Sequence, residues 1–278
     1  MTVTTLTAHN GFTLPIQGFG TYGLRGDAGS AAISAAIGIG YRLIDSAFNY
    51  ENEGIVGAGV RSASVDRSEL IVTTKLAGRH HEFDKAGVTL EESRARLGLD
   101  SIDLVLIHWP NPSRDLYVEA WRALIDARER GVVRQIGVSN FLPEHLERIE
   151  AETGVRPVVN QLEIHPYFPQ EEAVAYHRER GILTEAWSPL GRAGEVLAEE
   201  PVLAAAAAHG ITPAQAVLAW HAARGVIAIP KASSLEHQQA NLAAASVQLS
   251  DDEVAAITAL GRDGGRLFDA DPRYHEEL

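Results

Sequence analysis

Short apolar runs alternate with amphipathic stretches along almost the whole chain, and each kind of segment recurs eight times. The apolar runs predict strands at residues 16–20, 41–44, 70–75, 102–107, 134–138, 158–162, 182–187 and 226–230. The amphipathic stretches predict helices at residues 30–38, 52–62, 83–97, 117–130, 143–153, 170–180, 213–224 and 235–244. Strands that alternate with helices indicate a parallel sheet, and eight such units in a chain of 278 residues fit a closed barrel better than an open sheet. We therefore predict an α/β fold, a (β/α)8 TIM barrel, with residues 1–278 forming a single domain.

Three further segments are added to the eight units. Residues 6–15 predict an N-terminal β-hairpin, because Asn10-Gly11 is the strongest two-residue turn signal. Residues 202–209 and 252–260 predict two added helices. No shift in composition and no Gly/Ser-rich linker divides the chain.

The charge balance limits the kinds of partner. The formal net charge is −13 and the isoelectric point is about 5.3, so the surface repels nucleic-acid backbones, although a local basic pocket for one phosphate-bearing ligand remains compatible with it. The absence of cysteine excludes disulfides, thiolate nucleophiles and Cys-ligated metals. Residues 1–5 lack the basic and apolar regions of a signal peptide, and no apolar run approaches the ~20 residues of a membrane span. We expect a cytoplasmic protein without nucleic-acid or membrane partners.

Polar residues recur where the predicted strands end, which is the rim at which barrel enzymes carry their chemistry. In chain order they are Asp45, Tyr50, Lys75, His108, Ser139, Asn140, Gln161, Trp187, Ser188 and Lys231. Any one of them alone is more often a helix cap, a solvated charge or a structural residue than a catalytic group. Their recurrence at one rim indicates a shared site.

The residues Asp45, Tyr50, Lys75 and His108 follow three consecutive predicted strands and have a joint chemical use. A phenol with a pKa of about 10 is a poor proton donor at neutral pH, and a neighbouring ammonium lowers that pKa. A carboxylate beside the lysine holds it charged, and an imidazole orients a carbonyl oxygen or shares its proton. The group predicts a site that polarises a carbonyl and protonates the developing alkoxide.

These residues lie in motifs that resemble the aldo-keto reductase superfamily over nearly the whole chain. The motifs are Gly40-Tyr41-Arg42-Leu43-Ile44-Asp45-Ser46-Ala47 with Tyr50-Glu51-Asn52-Glu53, Ile107-His108-Trp109-Pro110, Gly137-Val138-Ser139-Asn140-Phe141, Asn160-Gln161-Leu162-Glu163-Ile164-His165-Pro166, Trp187-Ser188-Pro189-Leu190-Gly191 and Ile229-Pro230-Lys231. Within the superfamily, the chain resembles prokaryotic members of the 2,5-diketo-D-gluconate reductase type, notably over residues 201–220.

The resemblance implies an oxidoreductase that passes a hydride from NADPH to the carbonyl of an aldehyde, ketone, diketone or keto sugar acid. It implies Tyr50 as the general acid, Lys75 and Asp45 as the groups that tune it, and His108 as the group that orients the carbonyl. The implied cofactor-binding residues are Thr21, Tyr22, Asp45, Ser139, Asn140, Gln161, Trp187, Ser188, Leu190, Gly191, Lys231, Ser233, His237 and Asn241. The implied substrate-binding residues are Tyr22, Phe48, Ala77, His108 and Trp109. No Gly-x-Gly-x-x-Gly follows a first strand, so the cofactor is held without the Rossmann device. The family also implies a monomer.

The sequence departs from the family pattern at two informative places. His237 occupies the position at which NADPH-preferring members carry an Arg for the 2′-phosphate. Histidine offers less charge at pH 7 than the guanidinium fork, so the discrimination between NADPH and NADH weakens by about 1.5–3 kcal/mol. Our hypothesis is that NADPH is preferred but NADH is also used. The opposing interpretation is that Lys231 and Ser233 carry the phosphate alone. Ala77 replaces a Trp that walls the substrate pocket in many members, which predicts a wider pocket.

Two other function classes are alternatives to a reductase. A metallohydrolase built on His108, His165 and Asp45 lacks paired-histidine ligand spacing and leaves Lys75 and Tyr50 unused, so we predict no metal site. The other alternative is a non-catalytic cofactor-binding sensor or structural subunit on the same barrel. The intact Asp, Tyr, Lys and His group argues against it.

Overall fold

The computed structural model describes residues 4–277; residues 1–3, which belong to the segment predicted to lack a signal peptide, and residue 278 lie outside the described residues. The strands, in chain order, are β1 Thr5–Thr7, β2 Thr13–Pro15, β3 Phe19–Gly20, β4 Leu43–Asp45, β5 Ile71–Leu76, β6 Ile102–Ile107, β7 Val133–Ser139, β8 Val159–Glu163, β9 Leu183–Trp187 and β10 Val226–Ala228. The helices are α1 Gly26–Ile39, α2 Glu53–Ser62, α3 Phe83–Leu97, α4 Tyr117–Glu129, α5 Pro143–Thr153, α6 Glu171–Arg180, α7 Glu200–His209, α8 Pro213–Ala223, α9 Leu235–Ala243 and α10 Asp251–Thr258.

Eight parallel strands, β3 to β10, form one sheet in which each strand pairs with the next along the chain. The first and last strands meet through hydrogen bonds from the Gly18 amide to the Ala228 carbonyl at 2.9 Å and from the Gly20 amide to the Pro230 carbonyl at 3.0 Å. A β-carbon on Gly18 would lie 2.6 Å from the Ile229 side chain, so glycine permits the close approach at this closure. The sheet therefore closes, and the predicted TIM barrel is confirmed.

The strands of the barrel are almost wholly buried because the helices cover the outside of the barrel and side chains fill its inside. The inner filling is aliphatic and includes Leu43, Leu104, Leu106, Val159 and Ile227. Chemistry is thereby restricted to the strand ends and the loops that follow them.

The two added helices are confirmed as α7 and α10. They pack on α8 through Val202, Ala205, Ala206, Trp220 and Ile257, all buried. Helix α8 begins as its sequence predicts: Thr212 caps it through the Gln215 amide, and Pro213 occupies its first turn.

The N-terminal hairpin is confirmed, but its predicted two-residue turn is wrong. Thr7 pairs with Thr13, so five residues form the loop, and the Ala8 amide donates to the Phe12 carbonyl at 2.8 Å. The strand predicted at residues 16–20 is also shorter, because Ile16 still donates to Thr4 beside the hairpin and only residues 19–20 pair with β4. Residues 16–18 connect the hairpin to the barrel.

Among residues 4–277, no single helix has the length and apolar character needed to cross a membrane. Helices α7 and α8 reach that length and composition only when taken together, across a bend of 92°.

Candidate active site

A cavity of about 690 Å³ opens at the carboxyl ends of the barrel strands. It is lined by Gly20, Tyr22, Asp45, Tyr50, His108, Trp109, Asn140, Gln161, Trp187, Ser188, Pro189, Leu190, Arg192, Ala193, Ile229, Pro230, Lys231 and Phe268. Most of the residues predicted from the strand ends are thus brought together around one space.

The floor of the cavity holds a buried ion pair. The Lys75 ammonium lies 2.7 Å from both carboxylate oxygens of Asp45 and 2.8 Å from the Ser46 carbonyl oxygen. Burial lowers the pKa of Lys75, but the charges of Asp45, Tyr50 and Glu185 and the hydrogen bond to Asp45 outweigh burial and raise it overall. The lysine therefore stays charged at neutral pH although only 1% of it is exposed.

Tyr50 stands over this pair at the end of a short helical turn, Phe48–Tyr50. The Lys75 nitrogen lies 5.2 Å from the centre of its ring. Burial raises the pKa of Tyr50 and Lys75 lowers it, and the net direction is upward. In the structure the ammonium therefore offsets burial rather than making the phenol more acidic than usual, so Tyr50 is protonated at neutral pH.

A second carboxylate, Glu185 on β9, lies inside the barrel beneath the pair. The Gln161 side-chain amide donates to Asp45 at 2.9 Å and to Glu185 at 2.8 Å, linking the two carboxyls. Burial, together with the charge of Asp45, raises the pKa of Glu185 to about 7. Sequence reasoning missed this residue; the only signal was one carboxylate inside an otherwise apolar strand.

His108 follows β6 and faces Tyr50, with ring centres 6.0 Å apart. Its backbone is fixed because its amide donates to the Leu76 carbonyl at 3.0 Å and its carbonyl accepts from the Asn140 side chain at 3.0 Å. Its Nδ1 atom lies 2.7 Å from a carboxylate oxygen of Glu277, in the chain tail. Glu277 is the second residue that the sequence analysis missed.

A flat aromatic wall stands opposite the floor. The Trp187 indole N–H donates to the Asn140 side-chain oxygen at 2.9 Å, which fixes the ring. Asn140 also donates to the Ser139 hydroxyl, and it adopts the left-handed backbone region at φ 61°. A residue of this type tolerates that conformation better than most. Ser188, at φ 47°, turns the chain away after β9.

The outer end of the cavity carries positive charge. Lys231 and Arg192 line it, and the Arg192 guanidinium lies 4.1 Å from the centre of the Phe268 ring. Helix α9 begins close by in sequence, with the Ser234 hydroxyl accepting from the His237 amide at 3.3 Å. Ser233 and His237 are exposed on this segment. A protein of net charge −13 thus has a local basic pocket, as the sequence allowed.

Besides the exposed residues Ser233 and His237, six residues of the predicted binding set do not line the cavity. Phe48 lies under the guanidinium groups of Arg79 and Arg96, 5.0 and 4.7 Å from its ring centre. Thr21 donates to the Asp45 carbonyl at 2.9 Å, and Asn241 accepts from Gln17 through its backbone at 2.7 Å. The other members of this set are Ala77 and Ser139, which are buried, and Gly191, which follows the lining residue Leu190.

Within residues 4–277, no group of three or more metal-ligating side chains is arranged to hold a metal. His165 does not turn toward Asp45 and His108. Its Nε2 atom lies 2.9 Å from the Glu163 carboxylate, and both side chains are buried.

Comparison with known proteins gives one consistent family. The model of the Aldo/keto reductase family matches residues 18–262. The chain is 50% identical over 276 residues to 2,5-diketo-D-gluconic acid reductase B of Corynebacterium sp., covering 99% of each chain. It is 39% identical over 270 residues to methylglyoxal reductase DkgA of Salmonella typhimurium, covering 97% of each. Among solved structures, a Gox0644 mutant in complex with NADPH matches with a TM-score of 0.93 at 39% identity, covering 99% of this chain and 100% of that chain.

Proposed function

Because this chain belongs to the aldo/keto reductase family, we propose that it uses NADPH to reduce the carbonyl of an aldehyde, ketone, diketone or keto sugar acid, with Tyr50 as the general acid. One observation carries the proposal. Tyr50, the buried Lys75–Asp45 pair and His108 converge on the floor of one cavity. The names of the diketogluconic acid and methylglyoxal reductases support small carbonyl compounds as the substrate class.

The cavity fits a nicotinamide dinucleotide. The fixed Trp187 ring offers a flat apolar face for the nicotinamide, and Lys231 and Arg192 offer positive charge for the phosphates. Asn140 and Gln161 present amide groups at the same wall. When bound, NADPH supplies the hydride that the carbonyl carbon receives.

The residues of the cavity floor control the proton transfer to the carbonyl oxygen. Tyr50 is protonated at neutral pH, so its hydroxyl donates to the carbonyl oxygen as negative charge develops there. The phenolate that remains is stabilised by the Lys75 ammonium, which Asp45 holds in place. His108 orients the carbonyl oxygen from the other side.

Cofactor choice is the second part of the proposal. We infer that NADPH is preferred but NADH is also used, because His237 is exposed and carries less positive charge at pH 7 than an arginine. Lys231 and Ser233 retain part of a phosphate site. We further propose that the enzyme is cytoplasmic and, on the basis of the family resemblance, that it works as a monomer.

The test is loss of the reduced-nicotinamide absorbance when the purified protein is mixed with NADPH, then NADH, and a carbonyl panel. The panel includes a diketone, a keto sugar acid and an aromatic aldehyde. Carbonyl-dependent oxidation supports the proposal. Tight NADPH binding without turnover of any member contradicts it and favours a cofactor-binding sensor.

A further inference from the structure

Glu277, in the chain tail, binds at a polar site formed by the three loops that follow β4, β5 and β6. One carboxylate oxygen of Glu277 lies 2.7 Å from His108 Nδ1 and accepts from the Asn49 side chain at 2.6 Å. The other oxygen accepts from the Gly78 amide at 3.1 Å. The backbone of Glu277 exchanges two hydrogen bonds with the Asn111 side chain, at 2.6 and 3.1 Å. The same three strands carry Asp45, Lys75 and His108, so the tail is attached directly behind the floor of the cavity.

Gly78 leaves room for Glu277 and Asn111 at this site. A β-carbon at that position would overlap the Asn111 side chain and the Glu277 carbonyl oxygen. Burial raises the pKa of Glu277, but the nearby His108 ring and the hydrogen bonds from Gly78 and Asn49 outweigh burial and lower the pKa. The Glu277 carboxylate is therefore charged at neutral pH.

His108 has one remaining freedom, the rotation of its ring, because its backbone is fixed on both sides. Nδ1 is buried, and a carboxylate oxygen of Glu277 lies 2.7 Å from it, although the two groups are not aligned as a hydrogen bond. The ring lines the cavity while Nδ1 turns to the tail, which leaves Nε2 on the cavity side.

We propose that Glu277 is a positioning residue, which holds the His108 ring by its charge so that Nε2 faces the carbonyl oxygen. A carboxylate that orients an imidazole in this way is a general device of histidine sites. The inference rests on the proposed reductase function. Glu277 acts only through His108, so its contribution disappears when that ring is absent.

Four variants of the full chain separate this role from simple anchoring of the tail. Glu277→Gln keeps the size and removes the charge; we expect kcat for carbonyl reduction to fall about tenfold, with the Kd for NADPH within about twofold. Glu276→Gln is the matched control, since its neighbouring carboxylate accepts from the Ser113 amide at 2.8 Å and touches no part of the floor. We expect it to retain the wild-type kcat.

The third and fourth variants, His108→Gln alone and together with Glu277→Gln, complete a double-mutant cycle. In a His108→Gln background, Glu277→Gln is expected to cause no further loss of kcat. Wild-type kcat in Glu277→Gln, or an undiminished loss in the His108→Gln background, would overturn the proposal.

Nitrogen NMR of the His108 ring keeps this result distinct from failure of the reductase function. If no carbonyl is reduced by the wild type, the function fails, and the ring is still observed. Glu277→Gln, but not Glu276→Gln, is then expected to shift the Nδ1 and Nε2 signals of His108. Unchanged signals would overturn the positioning role independently of activity.

Discussion

The floor and the outer end of the cavity are built in opposite ways. On the floor, Asp45, Lys75, Gln161 and Glu185 are buried on barrel strands and bond to one another. At the outer end, Lys231, Ser233 and His237 are exposed on a loop and a helix start. Under the proposed function, the proton chemistry is therefore tied to the stability of the barrel, whereas cofactor choice depends on exposed residues that change at little cost.

The largest effect is expected from Tyr50→Phe. It removes the proton donor from the floor and leaves the cavity wall intact, so kcat should fall about 10³–10⁴-fold, equivalent to about 4–5.5 kcal/mol, while NADPH binding persists. Tyr22→Phe removes a hydroxyl from the adjacent ring, 5.1 Å away, and we expect at most about a tenfold loss. Steady-state kinetics and quenching of Trp fluorescence by NADPH measure the two quantities. Retention of most activity in Tyr50→Phe removes that residue from the acid role.

Lys75→Met tests whether the floor stabilises the fold. It leaves Asp45 as a buried, unpaired carboxylate, so the free energy of unfolding should fall by about 3–5 kcal/mol. The control is Lys85→Met, which breaks an exposed pair with Glu82 and should change stability by about 0–1 kcal/mol. Urea denaturation compares them. Equal losses in the two variants would show that the buried pair contributes no more than a surface pair.

Glu185→Gln tests the cavity floor through the pH dependence of the free energy of unfolding. Its pKa of about 7 in the folded chain exceeds the ordinary 4.5, so folding takes up a proton between these values and the wild type loses stability as pH rises through them. Below about pH 4.5 the free energy of unfolding of the wild type no longer depends on this carboxyl. Above about pH 7 the wild type has lost about 3 kcal/mol of that free energy. Relative to the wild type, Glu185→Gln should therefore gain stability as pH is raised from 5 to 8.

The control for that comparison is Glu179→Gln, the same change at an exposed position on α6. Its difference from the wild type should stay constant over this pH range. A pH-independent difference for Glu185→Gln as well would mean that the Glu185 carboxyl ionises normally inside the barrel.

The repeating part of the fold follows from local sequence, and the exceptions have a common cause. The segments 83–97, 102–107 and 143–153 form elements with the predicted bounds, because periodicity and caps mark their ends. The strand predicted at residues 16–20 is shortened because Ile16 pairs with Thr4 beside the hairpin. Such contacts join distant segments and have no local signal.

The candidate site shows the same division. Asp45, Tyr50, Lys75 and His108 follow strand ends, so the order of elements was enough to bring them together. Glu277 reaches the site through hydrogen bonds to residues 228 and 199 positions away, which no pattern in the tail indicates.

The smallest effect is expected at the outer end, from His237→Arg. The permanent charge and planar fork of arginine bind the 2′-phosphate of NADPH more tightly than histidine does at pH 7. The ratio of kcat/KM for NADPH to that for NADH should rise about 10- to 100-fold, while the free energy of unfolding stays within about 0.5 kcal/mol. Gln239→Arg adds the same charge about 200° around α9 and controls for net charge. An equal rise in both variants would assign the effect to the overall field, and no rise in either would leave phosphate recognition to Lys231 and Ser233.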